Sequence, residues 1–164
     1  MENNKLKSMA REYAFQFLYH LQLENFSKSK AELQNEKSSI LLDELLTNFE
    51  NALLENEERK DDLTTFNQET KNFAKELILG VVQKSSILEK EIEKCSTNWT
   101  LDKMNKVDLT LLLLACFELK HFGNTPEKVV INEAINIAKK FGTNNSSSFV
   151  NGVLNKLFKI NNNN

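Results

Sequence analysis

An all-α fold is predicted by three features of this 164-residue chain. One proline and four glycines leave few breakers of regular structure. Strong helix formers dominate, and apolar residues recur at spacings of three and four along most of its length. A chain of this size can bury a real core within one domain, whether as a single body or as two lobes.

The first helix is predicted from Lys7 to Leu23, with Met9, Ala10, Tyr13, Ala14, Phe17, Leu18 and Leu21 on a broad buried face. Arg11, Phe15, Tyr19 and Gln22 make a neighbouring stripe whose cation, aromatics and amide are an unusual set for a solvated face. Residues 24–38 are polar and read as a loop. A second helix is expected from Ser39 to Asn56, turning Leu42, Leu45, Leu46, Phe49 and Leu53 inward. The charged run Glu55 to Asp62 reads as a solvated turn.

Thr65, with Gln68 three residues on, resembles a capping box that starts a long helix to Cys95. Phe73, Leu77, Ile78, Val81 and Leu88 would lie inside it, and Gly80 would admit a neighbouring helix. Trp99 and Thr100 mark a break, with Thr100 as N-cap of a helix from Leu101 to His121. That helix is apolar nearly all round and should be the most buried of the C-terminal half.

The segment from Pro126 to Leu157 is an αα-hairpin on physical grounds alone. Thr125 is the expected N-cap and Pro126 sits in the first turn, where its missing N–H costs nothing. Val130, Ala134, Ile137, Ala138 and Phe141 share a stripe. Lys139 and Lys140 suit the helix C-terminus, and Gly142 is the expected left-handed stop. Phe149, Val150, Val153, Leu154 and Leu157 form the second stripe, and Ile160 to Asn164 a fraying end.

Charge is unevenly spread. Residues 1–23 carry +1, residues 24–70 carry −7 and residues 71–164 carry +4. This balance neither requires nor excludes a nucleic-acid partner. Cys95 and Cys116 are too few and too distant for a disulfide framework, so buried reduced thiols in a cytoplasmic protein are expected. No signal peptide begins the chain, and its longest apolar run, Leu111 to Phe117, is too short to span a bilayer. His20 and His121 lack partners at metal-ligand spacing. No phosphate loop or nucleophile motif appears, so the sequence favours a binding module without catalytic residues, metal or cofactor.

Three blocks carry a resemblance. They are AREYAFQFLY (Ala10 to Tyr19), NWTLDKMNKVDLTLLLLACFEL (Asn98 to Leu119) and the Pro126–Leu157 hairpin with its INEA, AKKFG and FVNGVL elements. Together they are similar to the NusB family of bacterial transcription antitermination factors. The resemblance implies one NusB-like domain over 1–164, built of two small helical bundles packed as lobes. The N-terminal lobe would be 1–95, with an acidic insert at 24–64, and the C-terminal lobe 96–164. It further implies binding of the boxA element of ribosomal RNA leader transcripts, jointly with the ribosomal protein NusE, in the RNA polymerase elongation complex with other Nus factors.

By position, Arg11 matches the end of the family's N-terminal arginine-rich motif and would contact RNA phosphate from the surface, with Lys5 and Lys7 as the remaining RNA-binding cations before it. Tyr19 and Phe149 match aromatics of the family's RNA-binding region, and Asp108 an acidic residue that faces the protein partner. Two departures stand out: the start is thin in arginine, and Leu109 and Leu113 replace basic residues common in the central helix. Electrostatic affinity follows the number of phosphates neutralised, so RNA binding should lean on the protein partner. Two other readings stay open. One is a detached RNA-binding domain related to that of ribosomal RNA cytosine methyltransferases. The other is a homodimeric helical interaction protein, and monomer or homodimer is not decided by sequence.

Overall fold

The computed structural model describes residues 2–23, 31–33, 38–54, 67–96, 100–123 and 125–162. Among these every regular element is helical. The chain divides into two compact units, Met1–Gln83 and Lys84–Asn164.

The first unit holds α1 (Glu2–Leu23), α2 (Ser38–Leu54) and the start of α3 (Gln68–Cys95). Helix α1 begins five residues before the expected Lys7. Its opening turns are polar, and periodicity reveals a helix only where it buries something. Ala10, Ala14, Phe17, Leu18 and Leu21 are buried as expected, against a core that includes Leu42, Leu46, Leu77 and Ile78. The rings of Tyr13 and Phe17 meet Phe49 of α2 edge-on at 5.8 and 5.4 Å between centroids. Such pairs add about 0.5–1.5 kcal/mol each beyond the area they bury. Tyr13 donates its hydroxyl to Glu50 Oε1 at 3.0 Å. Burial raises the Tyr13 phenol well above its ordinary value, with Glu50 adding to the effect. On the surface Lys75 pairs with Asp43 at 2.6 Å and Lys71 with Glu50 at 3.7 Å. Half-exposed pairs of this kind are worth about 0–1 kcal/mol.

The cap of α3 differs from expectation. Thr65 lies outside the described residues, as do the charged run 55–62 and Trp99. Asn67 does the capping, its Oδ1 accepting from the Thr70 N–H at 2.8 Å and the Thr70 hydroxyl at 2.7 Å.

In the second unit the expected helix 101–121 is broken in three. A 3₁₀ turn (Leu101–Lys103) precedes α4 (Lys106–Phe117), which passes into a π-helical turn (Glu118–Phe122). Thr100 makes no capping hydrogen bond; Asn105 does, accepting from the Val107 N–H at 2.9 Å. The apolar run survives as the core: Val107 through Phe117 are all buried except Leu109. Gly123 ends the π turn at φ 70°, the left-handed conformation glycine tolerates best.

Helices α5 (Glu127–Phe141) and α6 (Ser146–Asn162) form the expected hairpin against α4. Val130, Ala134, Ile137 and Ala138 are buried on α5, and Val150, Val153, Leu154 and Leu157 on α6. Two local expectations are corrected. Thr125 does not cap α5; its hydroxyl donates to Glu118 Oε1 at 2.8 Å, and Pro126 takes the cap position. Gly142 has φ −92° and is not left-handed. Its glycine answers to crowding, since an added Cβ would stand 2.4 Å from Ser146 Cβ and 2.7 Å from the Ala138 carbonyl oxygen.

Candidate RNA and partner interface

The candidate residues fall in both units. On α1, Lys5 and Lys7 are exposed, whereas Arg11 is only 4% exposed. The Arg11 guanidinium lies 5.2 Å from the ring centroid of Phe73 on α3, and the Lys7 ammonium 5.7 Å from the same ring. A ring under two cations is a cation–π arrangement worth about 0.5–2 kcal/mol per contact, more for the desolvated one. The sequence had Phe73 as plain core. A groove of about 760 Å³ beside it is lined by Lys7 but also by Glu69 and Glu76, so it holds no net positive charge.

The stripe beside the core face proves to be largely packed. Phe15 is 2% exposed, and Tyr19 stacks on it with centroids 6.0 Å apart and planes 26° from parallel. Tyr19 is half-buried, which leaves part of its ring on the surface. It stands roughly 12 Å along the helix from Arg11, at 1.5 Å per residue.

In the second unit Asp108 and Phe149 line one cavity of about 260 Å³, with Lys103, Met104, Asn105, Thr143 and Asn145. Asp108 is not the solvated charge that a first helical turn suggests; it is 7% exposed. Among the described residues its Oδ1 has no hydrogen-bond partner. Burial raises its carboxyl above the ordinary value, with the Ser146 hydroxyl acting in the opposite direction. Ser146 is held in turn by the loop before α6, accepting from the Thr143 N–H at 2.9 Å. Phe149 is half-buried at the start of α6. Sequence reading missed the remaining lining residues, because Lys103, Met104 and Asn105 were expected inside a continuous helix from Leu101 to His121, and Thr143 and Asn145, some forty positions on, read as a polar turn.

Other reactive groups in this unit are quiet. Cys95 and Cys116 are free and buried, as expected. Burial pushes the Cys116 thiol up to about 12 and raises Cys95, so neither is a nucleophile at neutral pH. Glu91 is bonded to Lys120 and pairs with Lys94 at 3.4 Å, and the Lys120 bond lowers its carboxyl. His121 stacks on Phe117, and burial lowers its imidazole. No His, Cys, Asp and Glu cluster that could hold a metal occurs among the described residues. No described helix is long and apolar enough to cross a membrane.

Comparison with known proteins places this arrangement. The model of the NusB family matches residues 8–159. A transcription antitermination protein NusB of Geotalea daltonii is 47% identical over 85 residues, covering 52% of this chain and 59% of its own length. The matched stretch thus spans less than two thirds of that relative. The NusB of Desulfovibrio desulfuricans is 35% identical over 156 residues, 95% of this chain and 86% of its own. In fold, the chain is similar to a crystal structure of antitermination factors NusB and NusE in complex with double-stranded RNA. There the TM-score is 0.70 at 22% identity, covering 95% of this chain and 98% of that one.

Proposed function

This chain belongs to the NusB family, and from that premise we propose that it is a transcription antitermination factor rather than an enzyme. It binds the boxA element of ribosomal RNA leader transcripts together with NusE, within the cytoplasmic RNA polymerase elongation complex. The observation that carries this reading is the family match over 8–159, which takes in all three sequence blocks; Lys5 and Lys7 lie just before it. The fold likeness to a NusB–NusE–RNA complex agrees with it.

On this reading Lys5 and Lys7, both exposed, meet phosphate directly. Arg11, buried over Phe73, contributes its charge from beneath and ties the middle of α1 to α3. Tyr19 and Phe149 each offer part of a ring to an unstacked base, worth about 1–3 kcal/mol per base stacked. Asp108, which the family pattern turns toward NusE, shares its cavity with Phe149, so protein and RNA would meet beside it. The lobes of one domain are taken as 1–95 and 96–164; the compact units divide earlier, after Gln83.

A gel shift of leader RNA with this protein and NusE tests the reading. The wild type should shift the RNA more strongly with NusE than without. Tyr19→Asp and Phe149→Asp together should abolish the shift with helicity intact; a retained shift removes both rings from the site.

A further inference from the structure

Within the second unit, the end of α4 remote from the cavity carries a concentration of positive charge. Lys120, in the π turn that follows α4, is bonded to Glu91 of α3, and Lys94 pairs with the same carboxylate at 3.4 Å. One acid therefore answers two lysines. Two more lysines share this end. Burial lowers the His121 imidazole, and the charges of Lys84 and Lys120 lower it further. Lys94, Lys120 and Lys156 all act against the burial that raises Cys95. Glu89 and Glu93, the neighbouring acids of α3, fall about 160° round the helix from Glu91 at 3.6 residues per turn. Helix α6, which contributes Lys156, has no acidic residue. Lys94 and Lys156 are exposed, and so is His121, whose ring stacks on Phe117 with centroids 5.9 Å apart. The π turn that presents Lys120 and His121 is of a rare kind that recurs at functional sites.

We infer that this face is a further phosphate-binding surface, which holds RNA continuing beyond boxA, with Lys84, Lys94 and Lys156 along the backbone and His121 beneath a base. The inference rests on the reading that the chain binds leader RNA. Asp108 and Lys120 stand roughly 18 Å apart along α4 at 1.5 Å per residue, so the face is separate from the cavity. RNA suits it better than an acidic protein does. Protein interfaces are poor in lysine and close around an apolar core. Here four lysines accompany one exposed large apolar residue of α3, Ile87. A positive track with a ring for stacking is how single strands are held without sequence preference.

The test is fluorescence anisotropy of two fluorescein-labelled RNAs, boxA alone and boxA with about ten uridines added at each end, the site size of one single-strand-binding module. Each is titrated across a salt series with the full chain and NusE. The tailed RNA should bind more tightly, with log affinity against log salt steeper by about 0.7 for each lysine engaged. Lys94→Ser with Lys156→Ser should remove about 1.4 from the tailed slope and leave boxA alone unchanged. Lys94→Arg with Lys156→Arg should keep the wild-type slope. Equal slopes for the two RNAs in the wild type overturn the inference while leaving boxA binding in place. So does a serine variant that weakens both RNAs alike, the mark of a general field. One that spares both RNAs and loses NusE overturns it too, and assigns the face to a protein. Failure of both RNAs to bind overturns the RNA-binding reading with it.

Discussion

On the proposed reading, the two units offer boxA RNA different things. The first offers charge: two exposed lysines, a buried arginine and the Phe73 ring that holds Lys7 and Arg11 in place. The second offers shape: a cavity edged by the half-buried Phe149, with little net charge. Charge attracts any phosphate chain and weakens with salt. Stacking of a base on an aromatic ring should respond little to salt. On this reading the two contributions are separable, and each should be removable without the other.

The harshest way to break the contrast is to collapse the second unit. Leu112 is fully buried in α4, and Leu112→Ala should cost about 2–5 kcal/mol in urea unfolding. A loss under about 1 kcal/mol would mean α4 is not the core described here.

Next come the binding variants. Phe149→Ala should weaken RNA binding by about 1–3 kcal/mol with the salt dependence unchanged. Replacing Lys5 or Lys7 with Ser should instead lower the slope of log affinity against log salt by about 0.7 each. If Phe149→Ala changes the slope and the lysine variants do not, the division of labour is wrong.

A smaller effect concerns pH. Burial raises the Asp108 carboxyl in the folded state, so between its unfolded and folded values the folded chain binds more protons than the unfolded one. Stability contributed by this group therefore falls as pH rises through that window. Asp108→Asn should be more thermostable than wild type at neutral pH, with the advantage shrinking as pH drops through that window and gone below the ordinary carboxylate value. An advantage that persists in acid would rule out this origin.

The smallest effect is at Gly152, exposed in the middle of α6 with nothing within 4 Å of where a Cβ would stand. Gly152→Ala should stabilise the chain by about 0.5–1 kcal/mol. Destabilisation would show contacts that the helix surface does not display.

Periodicity made the helices and the C-terminal hairpin legible, because burying a stripe leaves its spacing in the sequence. It did not make the caps legible. Thr65 and Thr125 fit the local pattern, yet Asn67 and Pro126 hold the cap positions; Thr100 stands at the cap of the 3₁₀ turn, while Asn105 caps α4. Where a chain enters a helix, to within a few residues, is set by packing that a local pattern does not record. Gly142 was read for its φ when the constraint is the crowding of Ser146 and Ala138. Arg11 reads in sequence as a surface cation, and only the position of Phe73 on α3 reveals why it is buried. The cavity was the least legible feature, since Asp108 and Phe149 converge through tertiary packing alone.

The central claim is selective recognition of boxA by this chain with NusE. Its most direct test is fluorescence anisotropy of a leader RNA carrying boxA against the same RNA with the boxA bases scrambled, both with NusE present. The account predicts clear preference for the intact element, persisting as salt is raised. Equal affinity for the two RNAs at every salt concentration would contradict it.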